Sequence, residues 1–180
     1  IQAGIERSKF QDKARSDKWA KQHARMKAKL MGFIQPQQVA WVYDDLDQSV
    51  PALYARSISY YRENNLSKAI GAVDALLTKE PQNPYFHELK GQILFEFGRL
   101  NESIAPYKRA LELKPEASLI RIALAHAQIE TANGNEKQLN DAIVNLKRTL
   151  RDEPRSTQIH HFLSTAYGRL GQEPQAKLHL

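Results

Sequence analysis

The residues best suited to chemistry in this chain are its histidines, and His87 is followed directly by a carboxylate, Glu88. A helix that binds a metal through H-E-x-x-H needs a second histidine four residues later, because that spacing places both imidazoles on one helix face. Here that position is Gly91, so the second ligand is missing. The sequence therefore predicts that His87 faces the core of the protein and binds no metal.

The other histidines do not form a recognisable metal site. His160 and His161 are adjacent, so on a helix their side chains point about 100° apart and cannot hold one ion together. A site built from His126 and His161 is conceivable, but no carboxylate stands in pattern with it. The chain also has no cysteine, no glycine-rich phosphate loop and no paired-carboxylate motif. We therefore expect no catalytic residue, no metal ligand and no cofactor in this chain.

The chain contains a sequence repeat, and the fold of this repeat would position any functional side chain. Pro81 and Pro115 are 34 residues apart, and between them runs PYFHELKGQILFEFGRLNESIAPYKRALELKP. A period of this length, closed by a proline just past a helical pattern, indicates tetratricopeptide repeats, in which each unit is a helix–turn–helix hairpin. Hairpins of this kind contact only their neighbours. The predicted fold class is therefore all-α, a right-handed superhelix of tetratricopeptide repeats, which is an α-solenoid.

The repeat divides the chain into a basic helical connector over residues 1–48 and a repeat array over residues 49–180. The predicted units are 50–83, 84–117, 118–156 and a partial unit 157–180. The third unit is longer, because Pro115 and Pro154 are 39 residues apart, and the excess is predicted to lengthen its turn, TANGNEKQLND. The fourth unit stops early in its second helix, and we expect a truncated or disordered terminus there.

Glycine, asparagine and serine predict where the helices turn and begin. Gly98 is expected at the turn of the second unit and the Asn64-Asn65 pair at that of the first, because both residue types tolerate the left-handed backbone. Ser67 and Asn101 are predicted to cap the second helices of these two units. Gly91 is small where the two helices of a hairpin must approach closely.

The lead segment carries the charge of the chain. Residues 1–40 hold nine basic residues against three acidic ones, which accounts for the formal net charge of +6. Five of its residues form an apolar stripe at helical spacing, namely Trp19, His23, Met26, Leu30 and Phe33. The segment could contact nucleic acid, lie on an anionic membrane surface, or dock this stripe on the first repeat. Docking is favoured, because no nucleic-acid motif is present. No run is apolar enough to span a membrane.

The first helix of each unit is predicted to line the concave face, where arrays of this kind bind polypeptides. Aromatic and arginine side chains at these positions are typical of protein-binding surfaces. The predicted groove residues are Tyr54, Ile58, Tyr61, Arg62, Tyr85, Glu88, Gln92, Phe95, Glu96, Ile122, His126, Ile129, Glu130, His161 and Arg169. The alternative for the aromatic residues among them is packing between neighbouring repeats.

Three segments resemble a known family. HARMKAKLMGF (23–33), LYARSISYYR (53–62) and NPYFHELKGQILFEFGR (83–99) are similar to the C-terminal part of BepA-like bacterial zinc metallopeptidases, which are gluzincins of the HtpX-related family. The likeness runs from about residue 16 to the end. The resemblance implies that a protease domain precedes the connector in the parent protein, and that the zinc site and its ligands lie upstream of Ile1.

The resemblance also implies a location and a task. Members of that family act in the periplasm in the quality control of outer-membrane proteins, and the array helps to engage substrates or the assembly machinery and to cover the protease cleft. We therefore expect a non-catalytic protein-protein interaction module of a secreted zinc-dependent metalloprotease, which binds a polypeptide substrate, a partner protein or its own protease domain. The alternative is a free-standing tetratricopeptide scaffold that is unrelated to a protease.

Overall fold

The computed structural model describes residues 46–180, which fold into eight α-helices. They are α1 (Val50–Arg62), α2 (Leu66–Lys79), α3 (Pro84–Glu96), α4 (Leu100–Leu113), α5 (Ser118–Thr131), α6 (Glu136–Asp152), α7 (Thr157–Arg169) and α8 (Glu173–Lys177). Consecutive helices pair as the hairpins α1–α2, α3–α4, α5–α6 and α7–α8, which stack in chain order. No strand occurs in residues 46–180, and the predicted α-solenoid fold class is confirmed. The predicted basic helix of residues 16–33 lies outside the described residues.

Short polar side chains start several helices, although not always the predicted ones. The Asn83 side chain accepts a hydrogen bond from the backbone N–H of Tyr85 at 3.1 Å, where α3 opens on a proline. The side chain of Asn65 caps α2 by accepting from the N–H of Lys68 at 3.1 Å. The predicted cap Ser67 is therefore wrong, because Asn65 comes first along the chain and already satisfies this end of the helix.

The start of α4 also differs from the prediction. This helix follows Arg99 directly and has no side-chain cap, and Asn101 lies inside its first turn. Arg99 instead donates two hydrogen bonds of 2.6 Å to the carboxylate of Glu102. The predicted turns are confirmed, since Gly98 has a φ of 77° and Asn64 a φ of 58°. The left-handed turn at Gly98 returns the chain to helix within two residues, which leaves Asn101 too late to act as a cap.

Most of the extra residues of the third unit lengthen a helix, and its turn is only one residue longer than that of the second unit. Helix α6 has 17 residues, whereas α2 and α4 have 14 each. Asn133 and Gly134 make a tight turn with φ values of 43° and 84°, and the Asn135 side chain then caps α6 through the N–H of Gln138 at 3.1 Å. The predicted long turn is therefore wrong. Leu139, which is 1% exposed, gives the added helical turn an anchor in the core.

The core runs between the two helices of each hairpin and on into the next hairpin. One cluster of buried apolar residues joins α1, α2 and α3, another joins α4 to α5, and a third joins α5 to α8. Where α3 meets α4, a Cβ added at Gly91 would lie 2.8 to 2.9 Å from the ring of Tyr107. This distance confirms that Gly91 permits a close helix approach. Burial of each large side chain stabilises the stack by about 1.5–3 kcal/mol.

Candidate functional site

The His87 side chain forms a hydrogen bond with the backbone and is not placed to bind a metal. Its Nε2 atom lies 2.9 Å from the backbone carbonyl oxygen of Pro81, and because a carbonyl only accepts, the imidazole donates. The ring is half-buried beside the start of α3. The prediction that His87 faces the core is therefore wrong, since its hydrogen bond holds it against the linker that precedes the helix.

This bond recurs in later units. Arg121 donates to the carbonyl of Pro115, and Nε2 of His160 lies 3.2 Å from the carbonyl oxygen of Pro154. Like His87, each donor is the fourth residue of its helix, and each proline stands three residues before that helix. We call these three contacts the proline bonds. They show that two of the histidines with candidate chemistry belong to the architecture of the repeat.

The described residues contain no other arrangement that would bind a metal. Within 46–180, no group of three or more histidine, aspartate or glutamate side chains is placed to hold an ion. His126 and His161 both contact the ring of Phe162, with centroid distances of 4.5 Å and 5.8 Å. In the same part of the chain, no helix has the length and apolar character needed to cross a membrane.

The A face, which is the surface formed by α1, α3, α5 and α7, contains the predicted groove residues, and the structure buries four of them. Tyr54 and Ile129 are 0% exposed, Ile58 is 2% exposed and Ile122 is 5% exposed. They belong to the core clusters between the hairpins. For these four the groove prediction is wrong, because their side chains fill the space between packed helices and cannot reach a ligand.

The other eleven predicted side chains are at least partly exposed. They are Tyr61, Arg62, Tyr85, Glu88, Gln92, Phe95, Glu96, His126, Glu130, His161 and Arg169. Their part in binding stays a prediction, but their geometry shows what they offer a ligand.

Hydrogen bonds organise the A face where α1 meets α3. Glu96 accepts from the hydroxyl of Tyr61 and from Nε2 of Gln92, the latter at 2.8 Å. The Tyr61 ring also packs edge-on against Phe97, with centroids 6.1 Å apart. A polar cavity of about 490 Å³ lies beside these side chains, next to Arg62. At the start of α3, Lys114 donates to the hydroxyl of Tyr85 at 2.7 Å. A ligand would therefore meet polar groups that are already oriented.

A row of three rings crosses the A face from α3 to α7, with the first pair tilted by 50° and the second pair stacked. The rings of Phe95 and His126 have centroids 4.8 Å apart, and those of His126 and Phe162 are 4.5 Å apart with an interplanar angle of 21°. We call Phe95, His126 and Phe162 the ring stack. Aromatic pairs at these distances favour one another beyond their buried area, and partly exposed rings supply contact area for a partner.

An ion pair borders the ring stack. Arg169 of α7 donates to the carboxylate oxygens of Glu130 in α5 at 3.2 and 3.3 Å, and also to the backbone carbonyl of Ile129. The two charged side chains are 40% and 36% exposed. An ion pair this exposed stabilises the fold by less than about 1 kcal/mol, so its main consequence is to fix charged groups beside the rings.

Burial and charge shift the pKa of several groups near this face. Burial lowers the pKa of His126, with Glu130 opposing the shift and His161 and Arg169 adding to it. The ring therefore remains neutral below the ordinary histidine pKa, which suits its packing between two phenyl rings. The hydrogen bond to Glu96 raises the pKa of Tyr61 to about 12, so this hydroxyl stays a donor.

Phe162 is the member of the ring stack that the sequence analysis did not predict. Phe95 follows the first residue of α3 by eleven positions, His126 follows that of α5 by eight, and Phe162 follows that of α7 by five. A rule that assigns groove residues by fixed repeat positions cannot group three rings at three different positions. From each unit to the next, the position of the ring in its helix moves three residues closer to the start of the helix. This pattern could have identified Phe162.

The outer side of the array carries a second depression. It has a volume of about 960 Å³ and is lined by residues of α2, α3 and α4, among them Leu66, Ile70, Leu94 and Pro106. Lys90 and Arg99 stand in the same lining, and they pair with Asp74 and Glu102 respectively. Its charged groups are thus matched within the fold.

The helical hairpins and the A face define a tetratricopeptide-type α-solenoid, and comparison with known proteins agrees. A family model described as tetratricopeptide repeat matches residues 54–118. The human protein named Tetratricopeptide repeat protein 13 is 32% identical over 77 residues, which are 40% of this chain and 9% of that protein. The chain thus spans less than a tenth of the length of this curated relative.

Solved structures show the same fold. The chain is similar to the crystal structure of MamA, with a TM-score of 0.68 and 16% identity over 91% of this chain and 83% of the other. It is also similar to YrrB, described as a TPR protein with an unusual peptide-binding site, with a TM-score of 0.65 and 13% identity over 91% of this chain and 78% of the other. At such identities, the likeness shows the fold alone.

Proposed function

We propose that the array binds a polypeptide along the A face and that it has no catalytic role of its own. The observation that carries this proposal is the ring stack, which places Phe95, His126 and Phe162 in one row across three hairpins. An extended segment with apolar side chains would lie along this row. Its backbone and polar side chains would reach the exposed groups beside it, such as Glu96 and His161.

The order of the site before a ligand binds supports this function. Glu96 already receives two hydrogen bonds, and Arg169 already joins α7 to α5. Side chains held in this way lose little conformational entropy on binding, and each rotamer-rich side chain left mobile would cost about 0.5–1.5 kcal/mol. Similarity to YrrB, a TPR protein described as having a peptide-binding site, also supports a peptide ligand.

A selection experiment tests this function. Peptides are selected from a phage-displayed random library on the immobilised chain, and their binding is then measured on the double variant Phe95→Ala/Phe162→Ala. We expect affinity to fall by about tenfold or more, because aromatic anchors carry most of the energy of an interface. Val144→Ala is the matched control, since Val144 is 66% exposed on α6, outside the A face, and should change nothing. Failure to select any binder, or equal binding to all three proteins, would contradict the proposal.

A finer proposal concerns the parent protein. The resemblance of residues 23–33, 53–62 and 83–99 to BepA-like peptidases supports an array that serves a periplasmic zinc metalloprotease and contacts its substrate, a partner or its protease domain. The coding sequence upstream of Ile1 tests this. An H-E-x-x-H helix encoded there supports the protease parent, whereas an unrelated upstream sequence supports the free-standing scaffold.

A further inference from the structure

Two histidines join the last two helices of the described array. Nδ1 of His160 in α7 lies 2.9 Å from Nδ1 of His179, which lies two residues after the end of α8. The proline bond fixes how the protons are arranged. Nε2 of His160 must donate to the carbonyl of Pro154, so the Nδ1 of a neutral His160 carries a lone pair and accepts. His179 is therefore the donor, with its proton on Nδ1.

Other side chains enclose this pair. The ring of His179 stacks parallel to that of Tyr167 in α7, with centroids 6.0 Å apart and an interplanar angle of 6°. From α6, the ammonium group of Lys147 lies 5.4 Å from the centroid of the Tyr167 ring. His179 thus faces His160 and Tyr167 from one helix and a permanent cation from another.

Helix α8 also contacts α7 through an apolar side chain. Ala176, which is 7% exposed, packs in the cluster that contains Leu163, Ala166 and Tyr167. The contact between His160 and His179 adds a polar link beside this apolar one.

We propose that the hydrogen bond between His160 and His179 is an acid-sensitive latch that holds α8 against α7 and opens when both imidazoles are protonated. A pair with no added proton, or with one, still offers a lone pair to accept the bond. Two imidazolium rings offer only donors, and their charges repel each other and Lys147. Opening the latch exposes the apolar side of α7 that Ala176 covers.

The direction of the pH effect follows from the surroundings. Burial lowers the pKa of His179, and the charges of His160 and Lys147 lower it further. The undocked form therefore binds a proton more readily than the docked form. Docking is complete above the ordinary histidine pKa of about 6.5 and is lost as the pH falls through the lowered pKa.

Thiol labelling of the full chain tests the latch. The chain has no cysteine, so Ala176→Cys introduces a single thiol under the docked helix. Its reaction rate with a disulfide reagent is measured at about pH 7.5 and about pH 5, each relative to an unstructured peptide with the same cysteine. We expect the relative rate to rise by about tenfold at the lower pH, since docking weakens by up to tenfold for each pH unit between the ordinary histidine pKa and the lowered pKa of His179.

Two further variants make the labelling specific. His179→Asn in the Ala176→Cys background keeps an amide donor near the position of Nδ1 but cannot titrate, so its relative rate should be the same at both pH values. His87→Asn removes an equivalent proline bond far from α8 and should leave the acid response intact. The latch would be overturned if the relative rate of Ala176→Cys did not change with pH, or if the rise persisted after His179→Asn was added.

An NMR measurement on the unmodified chain serves if Ala176→Cys disturbs docking. Nitrogen-15 spectra of the imidazoles report which ring nitrogen carries the proton. At about pH 7.5 we expect the Nε2–H form for His160 and the Nδ1–H form for His179. An Nε2–H form for both residues would show that the bond is not made and would refute the proposal.

Discussion

The hairpins α3–α4 and α7–α8 begin in the same way and are closed by different means. His87 and His160 are equivalent, and each binds a proline carbonyl before its helix. Between α3 and α4 the closing contact is steric, because the Tyr107 ring lies directly against Gly91. Between α7 and α8 it is polar, through His160 and His179. The two hairpins therefore start through the same bond, whereas contacts of the second helix differ between them.

The largest expected effect concerns the proline bond that lies between these two hairpins. Arg121 is 2% exposed and donates to the carbonyl of Pro115 and to the hydroxyl of Thr149 at 3.2 Å. We expect Arg121→Ala to lower the free energy of unfolding by about 3 kcal/mol, because it leaves a cavity and removes a donor from the hydroxyl of Thr149, which is 0% exposed. Urea unfolding measures this change.

Arg109→Ala is the matched control for that variant. Arg109 pairs with Glu112 at 3.0 Å, and the two side chains are 43% and 63% exposed. An exposed pair of this kind contributes about 0.5 kcal/mol or less. Equal losses for the two arginine variants would show that the proline bond does not stabilise the start of a hairpin.

A pair of glycine substitutions tests the steric closure of α3–α4. Gly91→Ala should lower the free energy of unfolding by about 2 kcal/mol, since its Cβ would overlap the Tyr107 ring. Gly168→Ala in α7 has nothing within 4 Å of the new Cβ and should raise stability by about 0.5 kcal/mol through helix propensity. Urea midpoints of the two variants should therefore move in opposite directions, and a shift in the same direction would remove the contrast between the hairpins.

The smallest expected effect is the pH dependence of stability that His126 contributes. It distinguishes the acid response of the ring stack from that of the latch. His126 has a lowered pKa, so the unfolded chain binds its proton more tightly, and its contribution to stability is lost as the pH falls below about 6.5. His126→Phe keeps a ring in the stack and should reduce the acid loss of unfolding free energy by about 1 kcal/mol or less. Urea unfolding at two pH values measures it, with His87→Asn, far from the ring stack, as the control. An unchanged pH dependence in His126→Phe would place the acid response elsewhere.

The fold class was predictable because its signals are local. The step from Pro81 to Pro115 marks the period, and the backbone requirements of Gly98 and Asn64 mark two of the turns. The longer third unit was not predictable in the same way. Its extra residues could form a loop or a helical turn, and the choice follows from the Asn135 cap and from the burial of Leu139. The burial of Leu139 is a tertiary contact, and the spacing of the repeats carries no information about it.

The candidate site was predicted less well than the fold. Repeat positions identify which helices form the A face, but they do not distinguish a side chain between two helices from one beside them. Ile58 and Ile129 were therefore assigned to the groove and lie in the core. Phe162 was missed for the related reason that its contact with His126 depends on how successive hairpins are rotated. That rotation is a property of packing between units, and no single unit encodes it.

The proline bonds also bear on how such an array can change its length. Each bond spans six residues across the junction between one unit and the next, as from Pro81 to His87 and from Pro115 to Arg121. Insertion within that short interval would break the bond, whereas the additional residues of α6 lie well away from it. Within residues 46–180 the variation in size thus lies in the body of a unit, and the three junctions with proline bonds keep one geometry. Whole hairpins cut at these prolines should be interchangeable parts for recombination, in nature or by design.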